Sequence, residues 1–162
     1  MHSELTKENS EAYWWFGSLA IVLLSAEQTM GRSSVVEITE PAGAVAPLHV
    51  HTKEDEAFVV LDGDVVVEVG GERVALSPGE VGFGPRGVPH CYEVGPNGCR
   101  MLFVLTPGGF EGLIRLMSTP AERLMLPGAD VTYPDLEELG DAIGEFGCSI
   151  LEDSVETGET VV

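Results

Sequence analysis

Apolar and polar positions alternate in short runs from Tyr13 to about Pro107. The period is two, which predicts β-strands with one face turned inward. The runs are "WWFGSLAIVLLSA", "SSVVEITE", "APLHVH", "EAFVVLDG", "DVVVEVG", "ERVALS", "EVGFGP", "PHCYEV" and "RMLFVLT". Gly, Pro, Asp and Asn punctuate them. Gly70-Gly71, between "VVVEV" and "ERVAL", predicts a two-residue hairpin. Asp62-Gly63-Asp64, Ser77-Pro78-Gly79 and Gly95-Pro96-Asn97-Gly98 predict further turns. Many short strands at this spacing predict an all-β antiparallel sandwich or barrel over residues 13–107.

The period changes after Pro107. "GGFEGLIRLMS" places Phe110, Leu113, Ile114 and Met117 at helical spacing. "TPAERLML" predicts a second short helix, with Pro120 near its start. "YPDLEELGDAIGEFG" predicts a third, with Leu136, Leu139, Ile143 and Phe146 as its apolar stripe. Residues 108–150 therefore read as a helical extension that packs on the barrel, with a lid over a cavity mouth as the alternative. Residues 1–12 read as a flexible end. The acidic stretch "LEDSVETGETVV", 151–162, reads as a disordered tail. One domain is expected from 162 residues.

Composition narrows the classes of partner. There are 27 acidic against 8 basic residues, a formal charge of −19. Such a chain repels phosphate, so neither nucleic acid nor an anionic membrane surface is expected as a partner. The longest strongly apolar run, Leu19 to Leu24, is far short of the ~20 residues of a membrane helix. No basic segment followed by an apolar one opens the chain, so no secretion signal is expected. Cys91, Cys99 and Cys148 have neither disulfide-like nor metal-like spacing, which fits a reduced, cytoplasmic protein.

The histidines change the picture most. Alternation puts Val45, Pro47, His49 and His51 on one strand face, and His90, Tyr92 and Val94 on another. The apolar neighbours mark both faces as inward. Glu56 shares a face with Phe58 and Val60, one short turn, "TKED", beyond His51. A buried imidazole needs partners for both nitrogens, and a metal ion satisfies three rings at once. Three imidazoles and one carboxylate, without cysteine, suit one divalent first-row ion: Fe, Mn, Ni, Co, Cu or Zn. Such an ion keeps open positions for a small molecule, and Glu56 is the candidate general base.

These residues resemble the two motifs of the cupins, small β-barrels that bind metal. In "GAVAPLHVHTKEDEAFVVLDG", Gly43 is followed by five residues, His49-Val50-His51, four residues, Glu56, six residues and Gly63. In "GEVGFGPRGVPHCYEV", Gly79 is followed by five residues, Pro85, Arg86, Gly87, two residues and His90. The family's usual asparagine four residues later is replaced by Val94. The resemblance implies a cupin-type jelly-roll barrel with His49, His51, Glu56 and His90 as metal ligands. A looser likeness to small quercetin-dioxygenase-like cupins runs from "WWFGSLAIVLL" to "LTPGGFEGLIRLMSTPAERLMLP". It implies a metal-dependent dioxygenase for an apolar phenolic or enol-type molecule, and a homodimer by analogy. An isomerase, cyclase or lyase that uses the metal without oxygen, and a non-catalytic binding module, are the alternatives. The expected pocket wall comprises Val45, Phe58, Val60, Tyr92, Met101 and Phe103, with Val36, Ile38 and Leu105 behind. Tyr92 is the extra hydrogen-bonding group near the ion. Arg86 reads as a rim cation or ion-pair partner, and Trp14 and Trp15 as mouth lining or interface packing.

Overall fold

The computed structural model describes residues 10–133 and 135–151; the expectations for residues 1–9 and 152–162 lie outside them. The period-two runs form strands, but several predicted breaks fall elsewhere. "WWFGSLAIVLL" is two strands, β1 (Glu11–Trp15) and β2 (Ser18–Leu24). Trp15 pairs with Ser18 across a two-residue turn in which Phe16 and Gly17 both have positive φ, 48° and 91°. That is the geometry a tight hairpin demands of its two central residues. A short α1 (Ala26–Thr29), capped by Ser25, leads to β3 (Ser34–Glu40) and β4 (Val45–His51).

The next two strands correct the expected turns at Asp62-Gly63-Asp64 and Gly95-Pro96-Asn97-Gly98. Both stretches lie inside long strands: β5 (Asp55–Val69) and β8 (His90–Thr106), which pair along most of their length. The register shifts between Val60 and Asp62 and again between Gly63 and Val65. Gly63, φ +76°, lies opposite Cys99, beside Gly98, φ +80°. Turn residues thus occur at the same level on both partners, so the two strands bend together and neither ends. A side chain at Gly63 would collide with the Gly98 carbonyl and stand 2.9 Å from Cys99 Cα. Between them come β6 (Glu72–Leu76), joined to β5 by the expected Gly70-Gly71 hairpin, and β7 (Val81–Gly84).

Every pairing is antiparallel. One path of the sheet runs β10-β4-β8-β3-β2-β1-β9, with β5 joining β6, β7 and β8 off it. Hydrogen bonding does not close the sheet on itself. Its inward faces make one core, in which Phe58, Val60, Val65, Val67, Val36, Ile38, Met101, Phe103 and Leu105 are buried.

Beyond β8 the chain forms α2 (Glu111–Met117), whose Leu113, Ile114 and Met117 are buried as the helical stripe predicts. The predicted helix over "TPAERLML" does not form. Thr119–Pro120 is instead a two-residue strand, β9, on the edge of β1. Trp14 Nε1 donates to the Met125 carbonyl at 2.8 Å, taking an acceptor that a helix would use internally. Ala121, Val131 and Tyr133 then cover the outer cluster of Trp14, Leu19 and Ile21. α3 (Leu136–Glu145) follows; Ile143 is buried, Phe146 packs against the core, and the side chains of Leu136 and Leu139 lie outside the described residues. A strand not expected in this extension, β10 (Cys148–Ile150), ends the described chain by pairing with β4.

The paired bend gives a test. Gly63→Ala adds both backbone strain and a collision, and should lower the unfolding free energy by about 2–4 kcal/mol. Gly71→Ala, at φ +85° but with open space around it, should lose only about 1 kcal/mol. Urea unfolding of the two variants measures the difference; equal losses would mean that the close approach contributes nothing.

Candidate metal centre

His49 and His51 alternate along β4, so both rings point to the inner face. The β4–β8 register shifts between Ala46 and His49, and this places His49 directly opposite His90. Glu56 arrives from β5, paired to Gly84 of β7 and Leu105 of β8. Ring centroids are 4.4 Å apart for His49 and His90, 5.0 Å for His49 and His51, and 5.3 Å for His51 and His90. One donor atom from each of His49, His51, Glu56 and His90 lies within 4.8 Å of all the others.

The outer nitrogens fix how each ring presents itself. His49 Nδ1 lies 2.7 Å from the Pro47 carbonyl, and His90 Nδ1 lies 3.0 Å from the Val88 carbonyl. A carbonyl only accepts, so each Nδ1 carries a hydrogen and each Nε2 is the nitrogen left to coordinate a cation. His90 Nε2 is 3.1 Å from Glu56 Oε2, and His51 Nε2 is 3.4 Å from the same oxygen. His51 Nδ1 is 3.5 Å from Glu54 Oε2, an ionic contact without hydrogen-bond geometry. Both nitrogens of His51 are buried and lack a hydrogen-bond partner. Buried polar atoms without partners are costly. A cation among the four donors would satisfy one of them and leave the other to Glu54, and neutral imidazoles backed by oxygen acceptors are the usual way such rings are held toward a metal. The donor set therefore fits a divalent first-row ion, with two residues that pattern reading missed in support. Glu54 is buried beside His51. Gly84 leaves room for His90, since a Cβ there would lie 3.0 Å from His90 Nδ1. Glu54 stands two residues before Glu56, and so on its face only if the strand already runs there; Gly84 carries no chemical signal at all.

Charge is distributed unevenly over the cluster. Burial lowers the pKa of His49, and the neighbouring rings add to this against the pull of Glu56, bringing it to about 4. Burial also opposes charge on His51, but the carboxylates of Glu54 and Glu56 outweigh it and raise that pKa to about 9. Burial pushes Glu56 up, yet contact with His51 and His90 holds it at about 2. Without an ion, Glu56 is thus ionised at neutral pH and His51 carries the balancing proton.

The cluster opens into a cavity of about 520 Å³. Of the expected wall, Phe58, Tyr92 and Phe103 line it, and Val45, 68% exposed, sits at its rim. Val60 and Met101 do not reach the lining. They share the inward face, but Phe58 pairs with Phe103 and the two rings floor the cavity above the Val60–Met101 pair. Trp15, Phe110, Leu113 and Met117 also line it, whereas Trp14 faces the outer cluster. Ile143 and Cys148 complete one side, and no lining residue is Lys or Arg. Tyr92 is less free than the sequence suggests: its hydroxyl donates to Glu40 Oε1 at 2.6 Å. Glu40 and Ser18, absent from the sequence-derived wall, line the same space. Arg86 is no part of it, being held by Asp55 at 2.8 and 3.1 Å outside the cavity. None of the three cysteines forms a disulfide among the described residues, and no helix among them is long and apolar enough to cross a membrane.

Comparison with known proteins agrees with this geometry. The Cupin domain family model matches residues 35–105, which include all four donors. Quercetin 2,3-dioxygenase of Bacillus subtilis (strain 168) is 27% identical over 123 residues, 76% of this chain but only 36% of that relative's length. Among solved structures, KdgF from Halomonas sp. superposes with a TM-score of 0.61 at 19% identity, covering 69% of this chain and 99% of that one. An RmlC-like cupin from Shewanella frigidimarina NCIMB 400 gives 0.58 at 21%, covering 68% and 96%. A mutant oxalate decarboxylase of Bacillus subtilis gives 0.57 at 22%, covering 68% and 31%. At these identities the structural likenesses establish the fold. The family match, the antiparallel jelly-roll strands and the histidine pair facing a third histidine across β4 and β8 together make residues 35–105 a cupin domain.

Proposed function

We propose that the protein is a metal-dependent cupin enzyme, and that it acts as a dioxygenase on an apolar phenolic or enol-type small molecule. The observation that carries this reading is the convergence of three imidazoles and Glu56 at one side of a mostly apolar cavity, with neither nitrogen of His51 in a hydrogen bond. The likeness to quercetin 2,3-dioxygenase supports it, although this chain spans about a third of that relative. His49, His51, Glu56 and His90 would hold one divalent first-row ion. Once bound, such an ion polarises a ligand oxygen and, where it is redox-active, permits reaction with dioxygen.

The chain's own groups supply the rest. Glu56, ionised at neutral pH, could take the hydroxyl proton of the ligand through the carboxylate oxygen not turned to the ion. Phe58, Phe103 and Phe110 provide flat walls that orient an aromatic ring and exclude water. The absence of lining Lys or Arg disfavours sugar phosphates. Three cysteines without a disulfide among the described residues, two of them buried, fit a reducing, cytoplasmic setting. Homodimer formation belongs to the same reading, by analogy with similar barrels.

Two measurements test it. Protein purified without a metal-affinity column should contain about one equivalent of a first-row metal, and His49→Ala less than about a tenth; equal contents would remove the site. Zinc, as a redox-silent probe, must expel the proton from His51, while His49 is already neutral. Its apparent affinity should therefore rise about tenfold per pH unit between roughly pH 6 and 8, with a proton released on binding. A flat pH profile would mean that His51 is not a ligand.

The reaction is tested by oxygen uptake. Protein loaded in turn with Fe, Mn, Ni and Co should consume oxygen with at least one flavonol, catechol or enol. Glu56→Gln should lower kcat by about 100-fold or more. Turnover that persists under argon would replace the dioxygenase reading with a non-oxidative isomerase or lyase.

A further inference from the structure

Besides the histidine cluster, the cavity contains a second polar group. Glu40, at the end of β3, is only 5% exposed. Its Oε1 accepts from the Tyr92 hydroxyl of β8 at 2.6 Å, and its Oε2 accepts from the Ser18 hydroxyl of β2. Three strands thus each bring a polar side chain to one spot on an apolar wall. Among the described residues no Lys or Arg forms an ion pair with Glu40; Arg100, opposite Thr39 on β8, pairs with Glu37 instead. Burial pushes the Glu40 carboxyl up, and the two donated hydrogen bonds oppose the rise. A buried carboxyl without a cation contributes less to stability than an apolar side chain of similar size, so stability alone does not explain it.

Counting donors and acceptors shows what the trio lacks. Ser18 and Tyr92 have one hydroxyl hydrogen each, and both are given to Glu40. With Glu40 ionised, what remains facing the cavity is lone pairs, on both carboxylate oxygens and on both hydroxyls. The complement is therefore a ligand group that brings a hydrogen. Position adds a second constraint. Tyr92 and His90 are alternate residues on one face of β8, so the trio stands one side-chain row, roughly 7 Å, from the histidine cluster. With no cationic side chain in the lining, a neutral hydroxyl is desolvated far more cheaply than a charged group.

We propose that Glu40, held by Ser18 and Tyr92, anchors the ligand by accepting a hydrogen bond from a second hydroxyl group. The pocket then selects planar aromatic or enolic molecules with two oxygen functions, one facing the histidine cluster and one facing Glu40. The first of these contacts rests on the proposed function; the second is a property of Glu40 itself. Tyr92 is accordingly a positioning residue, whose proton is committed to Glu40.

Equilibrium dialysis under argon, with the zinc-loaded full chain, separates these contacts. The probes are 3-hydroxyflavone and 3,7-dihydroxyflavone, which differ by one hydroxyl. The wild-type protein should bind the dihydroxy compound about tenfold more tightly. Glu40→Gln should reduce that preference to about threefold or less, and Glu40→Met to about one. Binding of 3-hydroxyflavone should stay within about threefold of wild type in both. If thermal melting shows Glu40→Met unfolded, the isosteric Glu40→Gln still decides. Absence of any preference in the wild type, an unchanged preference in Glu40→Gln, or failure of both probes to bind would each overturn the proposal. A preserved preference without oxygen uptake would discard the dioxygenase reading and keep Glu40. No preference in the wild type, with oxygen uptake intact, would do the reverse.

Discussion

His49 lies opposite His90 across β4 and β8, and the use of the cavity depends on that pairing. A register slip of one residue would turn the β4 rings outward and leave Glu56 with His90 alone. The register is held from both sides. β5 pairs with β8 along most of its length and passes the bend at Gly63 and Gly98 together with it. β10 pairs with β4 and places Cys148 opposite His51. The sheet is thus a frame in which several long pairings fix one short one. The polar cluster adds little to stability by itself; it is tolerated because the surrounding strands overdetermine its position.

Within that frame the cavity joins opposite local polarities. The chain is strongly acidic overall, yet the cluster contains the only inward-facing imidazoles among the described residues, balanced by Glu54 and Glu56. A divalent ion in place of the His51 proton would make the same spot locally positive. One row away, Glu40 offers only acceptors. An apolar, planar molecule entering between them meets a site for an electron-rich oxygen and a site for a hydroxyl hydrogen. The aromatic walls then fix its plane. Orientation in such a pocket follows from this asymmetry and does not need a large number of contacts.

Much of the candidate metal centre is legible because its side chains follow a period of two. His49, His51, Glu56 and His90 do point inward, but Val45 and Pro47, whose shared face predicts this for the first pair, are exposed, because the register shift between Ala46 and His49 breaks the alternation and leaves Val45 outward beside Glu93. The depth of a side chain within a face is not legible in the same way. Val60 and Met101 share the inward face with Phe58 and Phe103 but lie beneath those rings, and only packing separates the two pairs. Glu40 closes a strand that reads as apolar, and the partners that give it meaning come from β2 and β8, distant in sequence. The misplaced turns have a related cause. Asp62-Gly63-Asp64 and Gly95-Pro96-Asn97-Gly98 each carry the residues of a turn, yet the two pair with each other, and mutual pairing converts breaks into bends. "TPAERLML" failed as a helix because β1 and Trp14 offer its backbone other partners.

The strand β10 has a consequence for how the protein is made. All four donors of the cluster lie between His49 and His90, and β8 closes soon after, whereas the strand that covers the β4 edge is drawn from near the end of the described chain. During synthesis the donors leave the ribosome well before Cys148 does. For that interval the edge of β4 is without this partner strand. An ion held by the four donors would therefore not need β10 in place, and among the described residues β10 is the last strand to join the sheet beside it.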